Sequence, residues 1–542
     1  MIVTIGVMLV TSLLLIATFT AANGEIHLTS TDTAQKRAYY AAQAGIDDYE
    51  YHLTQDGNYL SYCTEPPTVN PALNQVGETT HRATVPSTNG EATNEQYAIQ
   101  LLPAESAPAG DRKCDRTRLV ETMLEEQGVA TGTFRIESTG YSGGEKRTLV
   151  ATFRNANFVS YVWYTKFETG DPTVHGPIPV GEPSTYWTDC GQFYGERPGR
   201  CSVFNNYFGT GESVNGPMHT EDHAGVCGKP IFGRNENDRI EFRHSVGGDS
   251  GYSNEGCGTA EPTFKGDHIL PGEVPSIQPP PGDEELAHIV EAAYDYTGKT
   301  EIVLEGSTMT VKTHVGNKIP GPEEEKTTTG VAFPPNGVIY VAGGCSESYS
   351  PFGPKPTYST DTACGNVYVR GEYTSALTIA SENDIIINGN ITTPRNGEGV
   401  PTTNAMLGLI ANNFVRVYHP LTGSRGGAEY LKCGSASNDT TEEPKDLNEP
   451  IIYAAILAVK HSFIVDNFDC GSPTLGHLNV YGAVAGLFTN GMTGVISGGT
   501  LIHGYSYNAN YDNRLQVEEP PHFLNPIQAA WYVQRETSAP NP

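Results

Sequence analysis

At 542 residues with a formal net charge of −29, the chain is too long for one hydrophobic core and too acidic to grip nucleic acid through a basic face. Sixty glycines, with Asn- and Thr-rich turns between short β-branched runs, predict a mainly β protein outside the first helix, in two to four domains. The ten cysteines are even in number and never spaced Cys-x-x-Cys, which favours disulfides outside the cytoplasm over a metal cluster.

From Ile2 to Ala22 there is no Asp, Glu, Lys, Arg, Pro or His. Read as a helix, this run is long enough for a bilayer's hydrocarbon core, with Ile5, Leu9, Leu13, Ile16 and Phe19 as its apolar membrane or assembly face. With no positive charge before Lys36, it reads as a retained anchor and not a removed signal peptide. No Pro follows until well beyond Gln55, and Ala34, Ala38, Ala41, Ala42, Gly45, Tyr49, His52 and Leu53 recur at steps of three and four. The two stretches predict one helix over residues 1–57, with 2–22 as the membrane or filament-core half.

An apolar helix running straight into Ala38-Tyr-Tyr-Ala-Ala-Gln-Ala-Gly-Ile46 resembles the N-terminal helix of type IV pilin-like proteins, especially the larger minor pilins. The resemblance implies an apolar half that sits in the membrane before assembly and in the filament core afterwards. It departs from the family in having no Glu within the apolar half.

Residues 58–155 are expected to form a small α+β head. Tyr97–Leu102, Gly132–Glu137 and Arg147–Phe153 alternate as half-buried strands, Arg116–Gln127 looks helical, and Ser138–Gly144 supplies a hairpin turn. Residues 156–275 are loop-rich and cysteine-rich, with a strand at Phe158–Thr165. Residues 276–335 start with a Pro-rich connector, then a short amphipathic helix in Asp283–Tyr296 and a hairpin of Thr300–Leu304 with Ser307–Val311. Within 336–535 the strands are very short: Val338–Val341, Val367–Val369, Leu377–Ile379, Ile385–Ile387, Leu407–Ile410, Val415–Val417, Tyr453–Val459, Phe463–Val465 and Leu478–Val484. Such steps favour a parallel β-solenoid-like domain, and 536–542 are left as a tail. Leu377–Ile385, Met406–Asn413, Tyr511–Leu515 and Pro520–Phe523 look like a bacterial surface-protein domain of no assigned activity that occurs behind pilin-like N-termini. The fold class expected is therefore α+β, mainly β: a long transmembrane or pilin-like helix, a small antiparallel head and a C-terminal solenoid-like domain.

The simplest disulfide pairing joins sequence neighbours, Cys63–Cys114, Cys190–Cys201, Cys227–Cys257, Cys345–Cys364 and Cys433–Cys470. His219, Glu221 and His223 are the weak candidates for a metal or a general base, since strand alternation puts them on one face with Asp222 opposite. A polar turn is the simpler account. Glu382, Asp384, Arg416, Lys460, Asp466 and Asp469 supply the carboxylates and bases that a carbohydrate-active solenoid enzyme would need. No nucleophile elbow, phosphate loop or His-Glu-x-x-His accompanies them. Acidic loops offer oxygens for Ca²⁺, although solvated surface is the default; no cofactor and no catalytic residue is expected. Three functions follow in order: a pilin-like structural subunit, partnered by itself or by other pilin-like subunits and by the membrane before assembly; an anchored adhesin binding surface glycans through aromatics such as Tyr505, Tyr507, Tyr511 and Trp531; and a carbohydrate-active enzyme.

Overall fold

The computed structural model describes residues 2–55, 59, 70–86, 93–104, 107, 114, 122–125, 133–155, 157–172, 180–254, 258–274, 276–315, 324–345, 362–397, 399–423, 435, 437–438, 448–471, 475–490, 493–497, 500–516, 519–526 and 531–538. The chain divides into two compact units, one of Met1–Ala156 with Ala530–Pro542 and one of Asn157–Ala529.

The first unit is built on a single helix, Ile2–Gln55, as the absence of proline allows. Ala38, Ala41, Ala42, Ile46, Tyr49 and Leu53 are buried along one stripe, Gly45 lies on it, and Ala34 at its edge is half-buried. The stripe is small because the sheet comes close. A Cβ on strand residue Gly140 would strike the Ala38 carbonyl oxygen, one on Gly45 would strike the Ser138 hydroxyl, and that hydroxyl donates to the Ala42 carbonyl at 2.7 Å. Lower down the rings of Tyr49, Phe134 and Phe153 fill the wider gap.

The sheet under the helix runs, in order, Leu73–Asn74, Gln96–Leu102, Thr133–Ser142, Glu145–Asn155 and Trp531–Ser538. The expected hairpin forms around Gly143 and Gly144, both at positive φ, with Ser142 facing Glu145. Residues set aside as its turn, 138–142, are strand. Of the helix expected over Arg116–Gln127 only 122–125 are described: Thr122 and Met123 are helical, and Leu124–Glu125 pairs as strand with Phe134 and Thr133. Residues 536–538, expected in a tail, belong to the strand Trp531–Ser538, which pairs antiparallel with Glu145–Asn155.

The second unit is dominated by one 21-stranded sheet. One row of parallel strands runs Val338–Ala342, Leu377–Ser381, Leu407–Ala411, Ile451–Ala458 and His477–Gly486, and continues through Trp163–Thr165, Met218–Thr220, Arg239–Phe242 and Asp267–Ile269. A second row runs Thr300–Gly306, Val367–Tyr373, Ile385–Thr392, Val415–Val417 and Phe463–Val465. Ile339, Ile379, Leu409 and Ile456 of the first row share one core with Val369, Ile387, Val417 and Val465 of the second. The strands read as aliphatic runs because both faces are covered.

Two expectations are corrected here. A solenoid-like domain over 336–535 is not what the chain forms: those strands are members of a mixed sheet that starts at Trp163 and includes the antiparallel strands Thr300–Gly306, Thr308–Val315 and Glu324–Ala332. Short strands broken by polar turns look alike locally whatever they pair with; long-range register decides the architecture. The expectation of a transmembrane helix is also overturned, since among the described residues no helix is long and apolar enough to cross a membrane. The amphipathic helix expected in Asp283–Tyr296 is shorter, Glu284–Ile289, with Val290 already extended and Asp295–Thr297 a strand.

Disulfides join Cys190 to Cys201 and Cys345 to Cys364. Cys114, Cys227 and Cys470 are also disulfide-bonded, while Cys63, Cys257 and Cys433 lie outside the described residues.

Candidate functional site

The first candidate is the long helix. Its C-terminal half is committed to its own sheet, whereas the N-terminal end presents apolar side chains outward: Ile5 is 56% exposed, Met8 70% and Leu9 59%. Thr11, also exposed, turns its hydroxyl back to the Met8 carbonyl at 3.0 Å, which hides its polarity within the helix. The side chains of Leu13, Ile16 and Phe19 lie outside the described ones. One helix thus carries a packed end and an apolar end without cover among the described residues, and burying a large apolar side chain is worth about 1.5–3 kcal/mol.

The second candidate is the His219 cluster. Strand Met218–Thr220 lies between Trp163–Thr165 and Arg239–Phe242, which buries His219 completely. Its Nδ1 is 2.8 Å from Glu241 Oε2 and its Nε2 is 3.1 Å from Glu221 Oε1, while the Tyr164 ring stacks on the imidazole at 5.6 Å. Glu241 also accepts from Tyr161 Oη at 2.9 Å and Arg239 Nε at 2.6 Å. Glu221 accepts from the Ile277 amide, from Ser276 Oγ at 3.0 Å and from Gln278 Nε2 at 3.3 Å, with Arg243 at 3.5 Å. Burial disfavours the imidazolium, but the two flanking carboxylates outweigh it and hold the His219 pKa above its ordinary value. Burial likewise works to raise the Glu221 carboxyl, and His219 with the Ile277 amide and Ser276 hydroxyl brings it below its ordinary value.

This cluster is closed. A carboxylate occupies each ring nitrogen, so the two acids flank the imidazole and do not converge on a shared point. Among the described residues no group of three His, Cys, Asp or Glu side chains could hold a metal ion. Its visible effect is to clamp residues 276–278: Glu221 takes donors from all three, and Tyr164 Oη donates to the Ile277 carbonyl at 2.5 Å. His223 goes elsewhere because the strand ends at Thr220; it pairs with Asp249 at 3.0 Å and lies flat on Tyr194. Asp222, also past the strand end, accepts from Arg197 and from the amides of Glu168, Tyr194 and His223. The partner Glu241 was missed by sequence reasoning, although Arg239 and Glu241 as alternate charges within a strand were a readable signal of a buried ionic face.

The proposed carbohydrate-active carboxylates do not gather on a surface. Asp384, Arg416 and Asp466 meet in the core, where Arg416 bonds Asp466 through Nε at 2.7 Å and a terminal nitrogen at 2.9 Å, and Asp384 at 2.8 Å. All three are buried. Asp384 also accepts from the Phe414 amide at 3.0 Å. Burial pushes the Asp466 carboxyl up against the pull of Arg416. Glu382 instead accepts from the Gly343 amide at 2.6 Å, Lys460 is exposed and Asp469 is separately buried. Of the aromatics, Tyr505 is buried and the Tyr511 hydroxyl donates to the Val159 carbonyl at 2.9 Å; the Trp531 side chain lies outside the described ones.

No family model and no curated protein matches the chain. Among solved structures it is similar to the competence-associated pilin ComZ from Thermus thermophilus, at 12% identity and a TM-score of 0.27 over 93% of this chain and 98% of that one. A score of that size does not establish a common fold.

Proposed function

We propose that the chain is a pilin-like structural subunit that joins copies of itself or related subunits through its N-terminal helix, in an extracytoplasmic filament or at its tip, and displays its β units outside. The observation that carries this reading is the division of the helix into a sheet-packed half and an apolar end exposed at Ile5, Met8 and Leu9. Packing such ends side by side would remove that surface from water in every copy added. The disulfides Cys190–Cys201 and Cys345–Cys364 support an oxidising location.

The test is Leu9→Asp in the full chain, with Val246→Asp, an exposed position of the second unit, as control. Electron microscopy and sedimentation are expected to show filaments or higher oligomers for the parent and the control, and their loss for Leu9→Asp without a change in melting temperature. Assembly that survives Leu9→Asp, or a parent that partitions into lipid vesicles and never self-associates, overturns the proposal.

A further inference from the structure

Residues 276–283 run through the second unit without forming a strand, and side chains hold them at their two ends. At the first end Glu221 accepts from the Ile277 amide, Ser276 Oγ and Gln278 Nε2, and Tyr164 Oη donates to the Ile277 carbonyl at 2.5 Å. At the second the Asp283 amide donates to Asn412 Oδ1 at 3.1 Å, and the Asp283 carboxyl accepts from Tyr340 Oη at 3.3 Å. Tyr164 and Tyr340 stand in one column of the parallel strands, and the register between them reads Ala485, Leu457, Ile410 and Ala380. Those four side chains are buried, yet alternation turns them away from the core that Ile379, Leu409, Ile456 and Val484 share. Pro279, Pro280 and Pro281 keep the segment extended at about 3.1 Å per residue, which lets it lie across strands about 4.8 Å apart. Ile277 and Gly282 are buried within it, whereas Pro281 is exposed.

Both anchors weaken in the same direction of pH. With its ring charged, His219 donates to Glu241 at 2.8 Å and to Glu221 at 3.1 Å. A neutral imidazole keeps one N–H and turns a lone pair toward the other carboxylate. The longer contact, to Glu221, is the one that gives way, because Glu241 is also held by Tyr161 and Arg239 and only Arg243, at 3.5 Å, balances Glu221. At the other end one oxygen of the buried Asp283 carboxyl has no hydrogen-bond partner. Burial pushes this carboxyl up to about 7; Glu284 adds to the rise, and the Tyr340 hydroxyl and Lys460 oppose it. Glu382 bears on the same Tyr340 hydroxyl as a further negative charge. Once ionised, Asp283 is a carboxylate with one long side-chain hydrogen bond in a dry site. We propose that residues 276–283 are a strap that holds at pH 6 and lifts above neutral pH, uncovering the column Ala380, Ile410, Leu457 and Ala485. This inference does not depend on the filament reading.

Hydroxyl-radical footprinting and hydrogen exchange of the full chain, both read by mass spectrometry at pH 6 and 9, test the strap. Each proton released on opening shifts the open population by up to about tenfold per pH unit. Labelling of Ile410 and Leu457 is expected to rise about tenfold relative to Leu409 and Ile456, their inward-facing neighbours on the same strands, and protection of the Ile277 and Asp283 amides to fall by about as much. Asp283→Asn cannot ionise and should keep the Asp283 amide protected at pH 9. Glu221→Gln still accepts from the Ile277 amide but carries no charge against a neutral His219, so it should keep the Ile277 amide protected. Labelling of Ile410 and Leu457 that is the same at both pH values, or that rises in step with Leu409 and Ile456, overturns the proposal. So does a loss of amide protection that both variants leave as large as in the parent.

Discussion

Two ionic centres are buried in the same sheet, and they answer the cost of buried charge differently. Around Arg416 a single permanent cation faces two carboxylates, and its bidentate pair with Asp466 and third bond to Asp384 use most of its donors. Around His219 a titratable ring sits between Glu221 and Glu241, and the surplus negative charge is met at the rim by Arg239 and Arg243. The first centre depends on one residue. The second spreads its support over a backbone amide, two hydroxyls, a side-chain amide, the part-buried Arg239 and the exposed Arg243, so it should lose less when one member is removed and should sense pH.

The largest effect expected is for Arg416→Met. It leaves two buried carboxylates facing each other without a cation, and should cost about 3–5 kcal/mol in chemical denaturation of the second unit. Restoration by the triple replacement of Asp384, Arg416 and Asp466 with apolar residues would show that the loss is uncompensated charge and not lost packing. His219→Leu should cost less, about 2–3 kcal/mol, because Glu241 keeps Arg239 and Tyr161 and Glu221 keeps its three donors from 276–278. A cost equal to that of Arg416→Met would break the contrast.

The pH profile sharpens it. His219 has a folded pKa raised above its ordinary 6.5, so its contribution is full below 6.5 and is lost as pH rises through the folded value. Glu221 has a folded pKa below its ordinary 4.5, so its contribution is full above 4.5 and is lost as pH falls through the folded value. Stability from this pair therefore peaks between 4.5 and 6.5. Burial also pushes Glu168, Asp283 and Glu519 up to about 7, which adds a decline with rising pH shared by every variant. Between pH 6 and 9 the parent should lose more stability than His219→Leu loses, measured by urea titration at each pH. Parallel profiles would remove His219 as the sensor. The smallest effect is for Ser276→Ala, about 0.5–1 kcal/mol, since Glu221 retains the Ile277 amide and Gln278.

What was legible followed from local periodicity. The stripe Ala38, Ala41, Ala42 and Gly45 was readable because helical spacing alone decides which side chains share a face, and Val415–Val417 and Phe463–Val465 were readable because aliphatic triplets between turns have few other uses. Pairing partners were not. Leu377–Ser381 lies between Val338–Ala342 and Leu407–Ala411, and parallel neighbours carry no tight turn to announce them. The pairing of Ser506–Tyr511 with Ser213–Asn215 was illegible for the same reason at longer range, since it sets Ala509 beside Val214 across most of the second unit. His219 and Glu221 meet at 3.1 Å, but the strand ends at Thr220, so alternation does not reach Glu221, Asp222 or His223, and His223 turns to Asp249 instead.

The pairing of Trp531 with Asn155 has a topological consequence. The chain leaves the first unit at one strand and re-enters it on the adjacent strand, so the whole of Asn157–Ala529 is a loop hung between two neighbours of one ladder. The hydrogen bonds between Glu145–Asn155 and Trp531–Ser538 close the first unit across the point of insertion, so its ladder is continuous without the inserted residues. A unit inserted this way can grow, shrink or be exchanged while the helix and the ladder that carry it keep the same pairing.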